Sequence, residues 1–273
     1  MANITATTAA AFIPEVWSKD VLAAVGKNLV MANLVARFDA DVKKGDILHV
    51  PTLTNLAANN KVADNEVTLN APTESEVDIS INKHKEVSFV IEDIAEIQSN
   101  QDLMARYTEK AGYAIAKAID DDLMALYSGL SQSVGTGGAD LDEDDILSAK
   151  EYLDSADASR EGRSLVIAPS QENVFLKIDR FTRQDTMGPN DYIKNGQIGK
   201  IHGFDVYATN NVVVASGTTY NLAFQRDAFA LAMQMQPRVQ AQYQQEKLGW
   251  LVTVDVIYGV AELRDTFGVK VLS

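Results

Sequence analysis

From Glu76 to Glu92 apolar and polar residues alternate over a run too long for one strand of a compact domain. Val77, Ile79 and Ile81 alternate with Glu76, Asp78, Ser80 and Asn82, and the odd positions continue through Lys83, Lys85, Val87, Phe89 and Ile91. Period two puts the odd side chains on one face of an extended chain. At about 3.3 Å per residue the run spans roughly 55 Å, whereas an ordinary strand holds about 5–6 residues. The charged stretch Lys83 to Glu86 is where it would break. Before it, KKGDILHVP (Lys43 to Pro51) reads as a strand closed by proline, and the polar stretch from Thr52 to Thr73 joins the two. The whole reads as an extended hairpin whose distal half has little core of its own. An isolated two-stranded ribbon is marginal in water, so this one is expected to lie against another molecule.

A long helix follows. Between Gln101 and Tyr127, Leu103, Tyr107, Ala111, Ala114, Ile115, Ala118, Ile119, Leu123 and Leu126 share a broad face, opposite Arg106, Glu109, Lys110, Lys117, Asp120 and Asp121. At about 1.5 Å per residue it is roughly 40 Å long. Asp120, Asp121 and Asp122 stand near its C-terminal end, where the helix dipole disfavours negative charge. No local rule accounts for them.

Ahead of the hairpin, Pro14 can open a helix, and Trp17, Val21, Leu22, Val25 and Leu29 recur at helical spacing, giving an amphipathic N-terminal arm. After the long helix, Ser131 to Asp140 is a loop, and Asp142 to Asp145 place negative charge in the first turn of a helix striped by Ile146, Ala149, Leu153 and Ala156. SLVIAPS (Ser164 to Ser170) is a buried strand running into a helix with Val174, Phe175 and Ile178 on its apolar face. Phe181 to Asn195 reads as a polar loop. The last third is mostly β, with Trp250, Val252, Val254 and Val256 on one face.

Hydrophobic residues make up 46% of the 273-residue chain, enough for a substantial core. The absence of cysteine removes disulfides, thiolate catalysis and cysteine-ligated zinc. A net charge of −14 argues against a nucleic-acid-binding face. No apolar run reaches the ~18–20 residues of a membrane span. His49, His84 and His202 lack ligand spacing, and a metal site would need the fold to gather them with carboxylates. Asp140, Asp142 and Asp144 have the spacing that opens a calcium loop, but no glycine or closing glutamate follows, so a helix N-terminus reads better. Gly135, Gly137 and Gly138 lack the Lys-Ser/Thr of a phosphate loop, and Gly196, Gly199 and Gly203 read as hairpin glycines. Nothing organises a nucleophile, a base and an oxyanion site, so neither catalysis nor a cofactor is expected.

The order of these elements, with the phrases FIPEVWSKDV, KKGDILHVP, ARYTEKAGYAIAKAIDDDL, LVIAPSQENVFLKI, NGQIGKIHGFDVYATNNV, FQRDAFALAMQ and VDVIYGVAELRDTFGVKVL, resembles the major capsid proteins of tailed double-stranded DNA phages. The resemblance implies an α+β chain of the Hong Kong-phage-type capsid fold. It has an N-arm (1–41), an E-loop and its base (42–91), a peripheral domain with the spine helix (92–139), an axial α/β domain (140–234) and a C-terminal return to the peripheral domain (235–273). It implies a structural subunit that self-assembles into the pentamers and hexamers of an icosahedral head enclosing double-stranded DNA. Implied partners are identical subunits, a portal protein, a cement or decoration protein, and packaged DNA held without specific binding; no membrane is involved. With no room for a scaffolding segment ahead of the arm, either a separate scaffolding protein or an already processed chain is expected, and the initiator-like Met1 favours the separate scaffold. Expected intersubunit contacts are Trp17, Leu22, Asn55, Asn59, Asn60, Lys61, Asn65 and Glu66. Val77, Ile79, Val87 and Phe89 would seat the E-loop base on the spine helix beside Leu103 and Tyr107. Some family members join subunits through a Lys–Asn isopeptide bond; Lys61 lies in the E-loop region and asparagines are plentiful, but the sequence does not show that they meet, so that chemistry is not carried over. The alternatives are an encapsulin shell enclosing an enzyme, an acidic metal-dependent enzyme using Asp140 to Asp145, and a tail or baseplate β-protein.

Overall fold

The computed structural model describes residues 30–40, 42, 44–53, 58–61, 63–64, 66–67, 69–70, 74–94, 103–175 and 199–273. The arm helix with Trp17 and Leu22, the loop residues Asn55 and Asn65, and the expected loop 181–195 lie outside them. In chain order the helices are α1 (Met31–Leu34), α2 (Leu103–Met124), α3 (Glu143–Ser155) and α4 (Pro169–Phe175). The strands are β1 (Ala36–Arg37), β2 (Ile47–Leu53), β3 (Glu74–Ser80), β4 (Lys83–Glu92), β5 (Ser133–Gly135), β6 (Arg163–Ile167), β7 (Lys200–Ile201), β8 (Phe204–Ala208), β9 (Val213–Ala215), β10 (Thr218–Gln225), β11 (Phe229–Gln244), β12 (Gly249–Glu262) and β13 (Gly268–Leu272).

These strands make three sheets. A four-stranded sheet runs β1-β11-β12-β4, built on the long antiparallel pair β11/β12. A seven-stranded sheet runs β5-β13-β10-β6-β8-β7, with β9 also on β10. Among the described residues, strands β2 and β3 pair only with each other, in register from Ile47↔Ser80 to Leu53↔Glu74. Pro51 lies inside β2 rather than closing it. A ribbon strand has an unpaired edge, and there a missing N–H costs nothing.

The main core fills the space between α2 and one face of the four-stranded sheet. Ile115, Ile119 and Leu123 of α2 meet Leu231 of β11 and Val254, Val256 and Tyr258 of β12. Val166, Leu222 and Phe224 from the seven-stranded sheet enter the same cluster, so both sheets share one core. A second core packs α3, through Ile146, Ala149 and Leu153, on Leu165, Ala223 and Val269 of the seven-stranded sheet. Period two along β10 explains how it serves both: Leu222 and Phe224 point into one cluster and Ala223 into the other.

Three expectations need correction. The long alternating run does break, but at Ile81–Asn82 rather than at Lys83–Glu86. The helix face is rotated: Tyr107 and Ala114 are exposed, while Met104, Thr108, Ala116 and Met124 are buried. Counting apolar residues missed this because Thr108 is polar and Tyr107 can cover apolar surface from the rim. The boundary at residue 234 falls inside β11, and the last strand, β13, enters the seven-stranded sheet between β5 and β10. Only β12 of the C-terminal segment lies wholly in the sheet beneath α2.

The helix start at Asp142 matches the sequence. Its carboxylate accepts from the Asp145 N–H at 3.0 Å and the Asp145 carboxylate accepts from the Asp142 N–H at 3.2 Å, a reciprocal cap. Between β7 and β8 a two-residue turn places His202 at φ 48° and Gly203 at φ 95°, the left-handed pair of a type I′ hairpin.

Candidate intersubunit surface

The ribbon β2–β3 is rooted on the four-stranded sheet, on the face away from α2. Ile79, fully buried, packs with Val42, Ile81, Ala230 and Ala232, and Leu48, Val50, Ile257 and Ala261 border them. This cluster contains no residue of α2, so the expected seat of Ile79 on the long helix is corrected. Val87 and Phe89 of β4 do pack against the cluster that contains α2, and the Phe89 and Tyr107 rings lie 5.7 Å apart. Val77 is half-buried and joins neither cluster. Leu103 opens α2, and its side chain lies outside the described part.

The run 76–92 therefore serves both faces of one sheet. Pairing of β4 with β12 ends at Lys83↔Tyr258. At the next β12 position, Gly259, the chain passes over the strand: an added Cβ would meet the Ser80 carbonyl oxygen and come within 3.1 Å of Ile81 Cα. Ile81 N–H then donates to the Asp46 carbonyl at 2.8 Å, closing the ribbon's root.

The described residues of the loop joining β2 and β3 are exposed, and most of them are polar. Asn59 Nδ2 donates to Asn70 Oδ1 at 3.0 Å across the loop, and Asn60, Lys61 and Glu66 are exposed. Sequence reasoning passed over Val67 and Leu69, which are 65% and 86% exposed. Their signal was present, two apolar residues in an otherwise polar stretch.

Two of the three aspartates of α2 acquire partners from other elements. Asp120 is buried and its Oδ2 accepts from the Val30 N–H at 3.0 Å, fixing the start of α1 to the long helix. Burial pushes its carboxyl up to about 6 against the pull of the Val30, Ala32 and Met31 N–H groups. Asp122 receives the Tyr258 hydroxyl at 2.6 Å and lies 2.9 Å from Lys83 Nζ. Burial raises the Asp122 carboxyl, but the Tyr258 and Lys83 hydrogen bonds outweigh it and hold the group below its usual range. Asp121 is exposed. On the opposite face of the sheet Arg238 clamps Asp255 through two hydrogen bonds of 2.8 and 3.0 Å, and His84 Nε2 lies 3.1 Å from the same carboxylate. The Arg238 hydrogen bond lowers the Asp255 carboxyl.

No helix among the described residues is long and apolar enough to cross a membrane. The family model described as phage capsid protein matches residues 73–271. The chain belongs to the phage capsid protein family. Its fold is similar to a solved structure from Mycobacterium phage Che8, 25% identical over 89% of this chain and 90% of that one, with a TM-score of 0.76. The capsid of cyanophage P-SCSP1u aligns at 16% identity over 89% and 87% of the two chains, TM-score 0.72. A virus-like particle from Pyrococcus furiosus aligns at 13% identity over 95% and 99%, TM-score 0.63. No curated protein sequence matches the chain. The fold is the Hong Kong-phage-type capsid fold, and this phage capsid protein is a structural shell subunit of the virion, a role that entails association of identical copies.

Proposed function

We propose that this capsid protein is the major coat subunit of a tailed phage, forming the pentamers and hexamers of an icosahedral head around double-stranded DNA. The ribbon β2–β3 is its E-loop, α2 its spine helix, and the unit built on the seven-stranded sheet its axial part. The ribbon carries this reading. It is held at one end by the Ile79 cluster, joins neither larger sheet, and presents Val67 and Leu69 to solvent. A neighbouring subunit supplies the surface these side chains lack. Each such contact is small, and closure makes many of them cooperate. The arm with Trp17 and Leu22 and the loop residues Asn55, Asn59, Asn60, Lys61, Asn65 and Glu66 belong to the same contact system. A separate scaffolding protein directs curvature, a portal occupies one vertex, and a cement protein reinforces the lattice. The acidic chain leaves packaged DNA mobile, because a wall poor in clustered cations gives phosphates nothing to grip.

The test replaces residues 55–72 with a short turn and expresses the variant with its scaffold. Circular dichroism of the wild-type kind together with loss of closed particles in negative stain is the expected result. Normal shells from the shortened chain would refute the role given to the ribbon. Shells that protect double-stranded DNA from nuclease distinguish a phage head from an enzyme-filled compartment.

A further inference from the structure

Three side chains on one face of the ribbon converge in a way the coat function does not use. His49 and Asp78 stand directly opposite each other in the β2/β3 register, and Glu76 lies two residues along β3, hence on the same face. His49 Nδ1 is 2.6 Å from Asp78 Oδ1 and 3.7 Å from Glu76 Oε2, and the three donor atoms lie within 4.8 Å of one another. Among the described residues no other three histidine, aspartate or glutamate side chains come together in this way. We propose that His49, Glu76 and Asp78 form a binding site for a divalent transition-metal ion of the zinc type on the face of the ribbon.

The chemistry of the donors selects the ion. One imidazole nitrogen and two carboxylate oxygens suit Zn²⁺ and its neighbours, whereas Ca²⁺ and Mg²⁺ prefer all-oxygen shells. Bonds of about 2.0–2.2 Å set the donors of such an ion roughly 3–3.5 Å apart, so the existing separations need only side-chain rotation. Two paired strands hold the ligands, and their register fixes which residues face each other. The ion displaces the proton that His49 Nδ1 shares with Asp78, and two nearby carboxylates compensate its charge. The side chains remain about half exposed, which leaves coordination positions open to water and limits the affinity.

The site lies within one chain, so its test uses unassembled subunits and stands apart from the coat reading. Titration of chelator-treated full-length protein with ZnCl₂, followed calorimetrically and by elemental analysis after dialysis, is expected to give one ion per chain with a micromolar dissociation constant. His49→Ala and Asp78→Asn are each expected to weaken binding by at least about tenfold, with unchanged circular dichroism, since both side chains are exposed. His84→Ala, at the separate Asp255 contact, is expected to bind as the parent does. Equal Zn²⁺ binding by the parent and His49→Ala would overturn the site. So would no binding by the parent, or tighter binding of Ca²⁺ than of Zn²⁺.

Discussion

Asp120 shows how one buried carboxylate makes a local contact depend on pH. Its carboxyl titrates near 6 in the fold because burial disfavours the charge, against 3.8 for the unperturbed group. Between those values the folded chain keeps a proton that the unfolded chain has lost. The contribution to stability is therefore complete below pH 3.8 and falls away as pH rises to about 6. At about 1.4 kcal/mol per pH unit the difference is about 3 kcal/mol. Asp120→Asn cannot ionise, so its stability relative to the parent is expected to rise by about that amount between pH 4 and pH 7, read from denaturant midpoints. A constant difference across the range would contradict this. Tyr258 belongs to the same scale. Its buried hydroxyl donates to the Asp122 carboxylate, and both burial and that partner hold the phenol above its usual range. Tyr258→Phe is expected to cost about 1.5–3 kcal/mol, the range for a hydrogen bond to a charged group, and Tyr258→Phe in an Asp122→Asn background distinctly less.

At the scale of elements, the informative feature is the passage of the run 76–92 from one face of the four-stranded sheet to the other. Ile79 and Ile81 enter the cluster on the face away from α2, whereas Val87 and Phe89, at the same parity beyond Asn82, pack against the cluster that contains α2. Gly259 permits this by leaving room for the backbone at Ser80 and Ile81. Gly259→Ala is expected to destabilise the chain by about 1–3 kcal/mol, because the obstruction is backbone rather than a yielding side chain. Amide exchange of residues 74–82 should accelerate more than that of α2, since the strain falls on the ribbon's root. Equal acceleration everywhere would place the crossing elsewhere. The alternation, the acidic start of α3 and the long amphipathic helix were all legible in the sequence, whereas the reciprocal cap of Asp142 and Asp145 was not. The face of α2 was legible only in part: Thr108 and Asp120 are buried by neighbours that no local pattern reveals.

For the molecule as a whole, the proposed coat role has neighbouring copies cover what the single chain leaves exposed. Leu69 is 86% exposed in the single chain, so Leu69→Asp should leave the unfolding midpoint nearly unchanged, within about 0.5 kcal/mol, while lowering the yield of closed shells in negative stain. A large loss of stability in the isolated subunit would mean that Leu69 packs within its own chain. The net charge of −14 bears on the contents. Unassembled subunits are expected not to retard double-stranded DNA in a gel at about 0.15 M salt, because such binding scales with phosphates neutralised by cationic side chains.

The order of residues alone sets the periodicities, and through them which residues share a face, where α3 begins, and that 76–92 is too long for one strand. Which surface each face meets depends on the packing of distant segments. Ile79 and Phe89 lie on the same side of one alternating run and are buried on opposite sides of one sheet. The partner of Asp120 is a backbone N–H ninety residues earlier, and the partners of Asp122 come from β4 and β12. Local pattern reflects bond geometry, which repeats every few residues. Partner choice depends on how distant segments pack, and nothing in the spacing of side chains along one element records it.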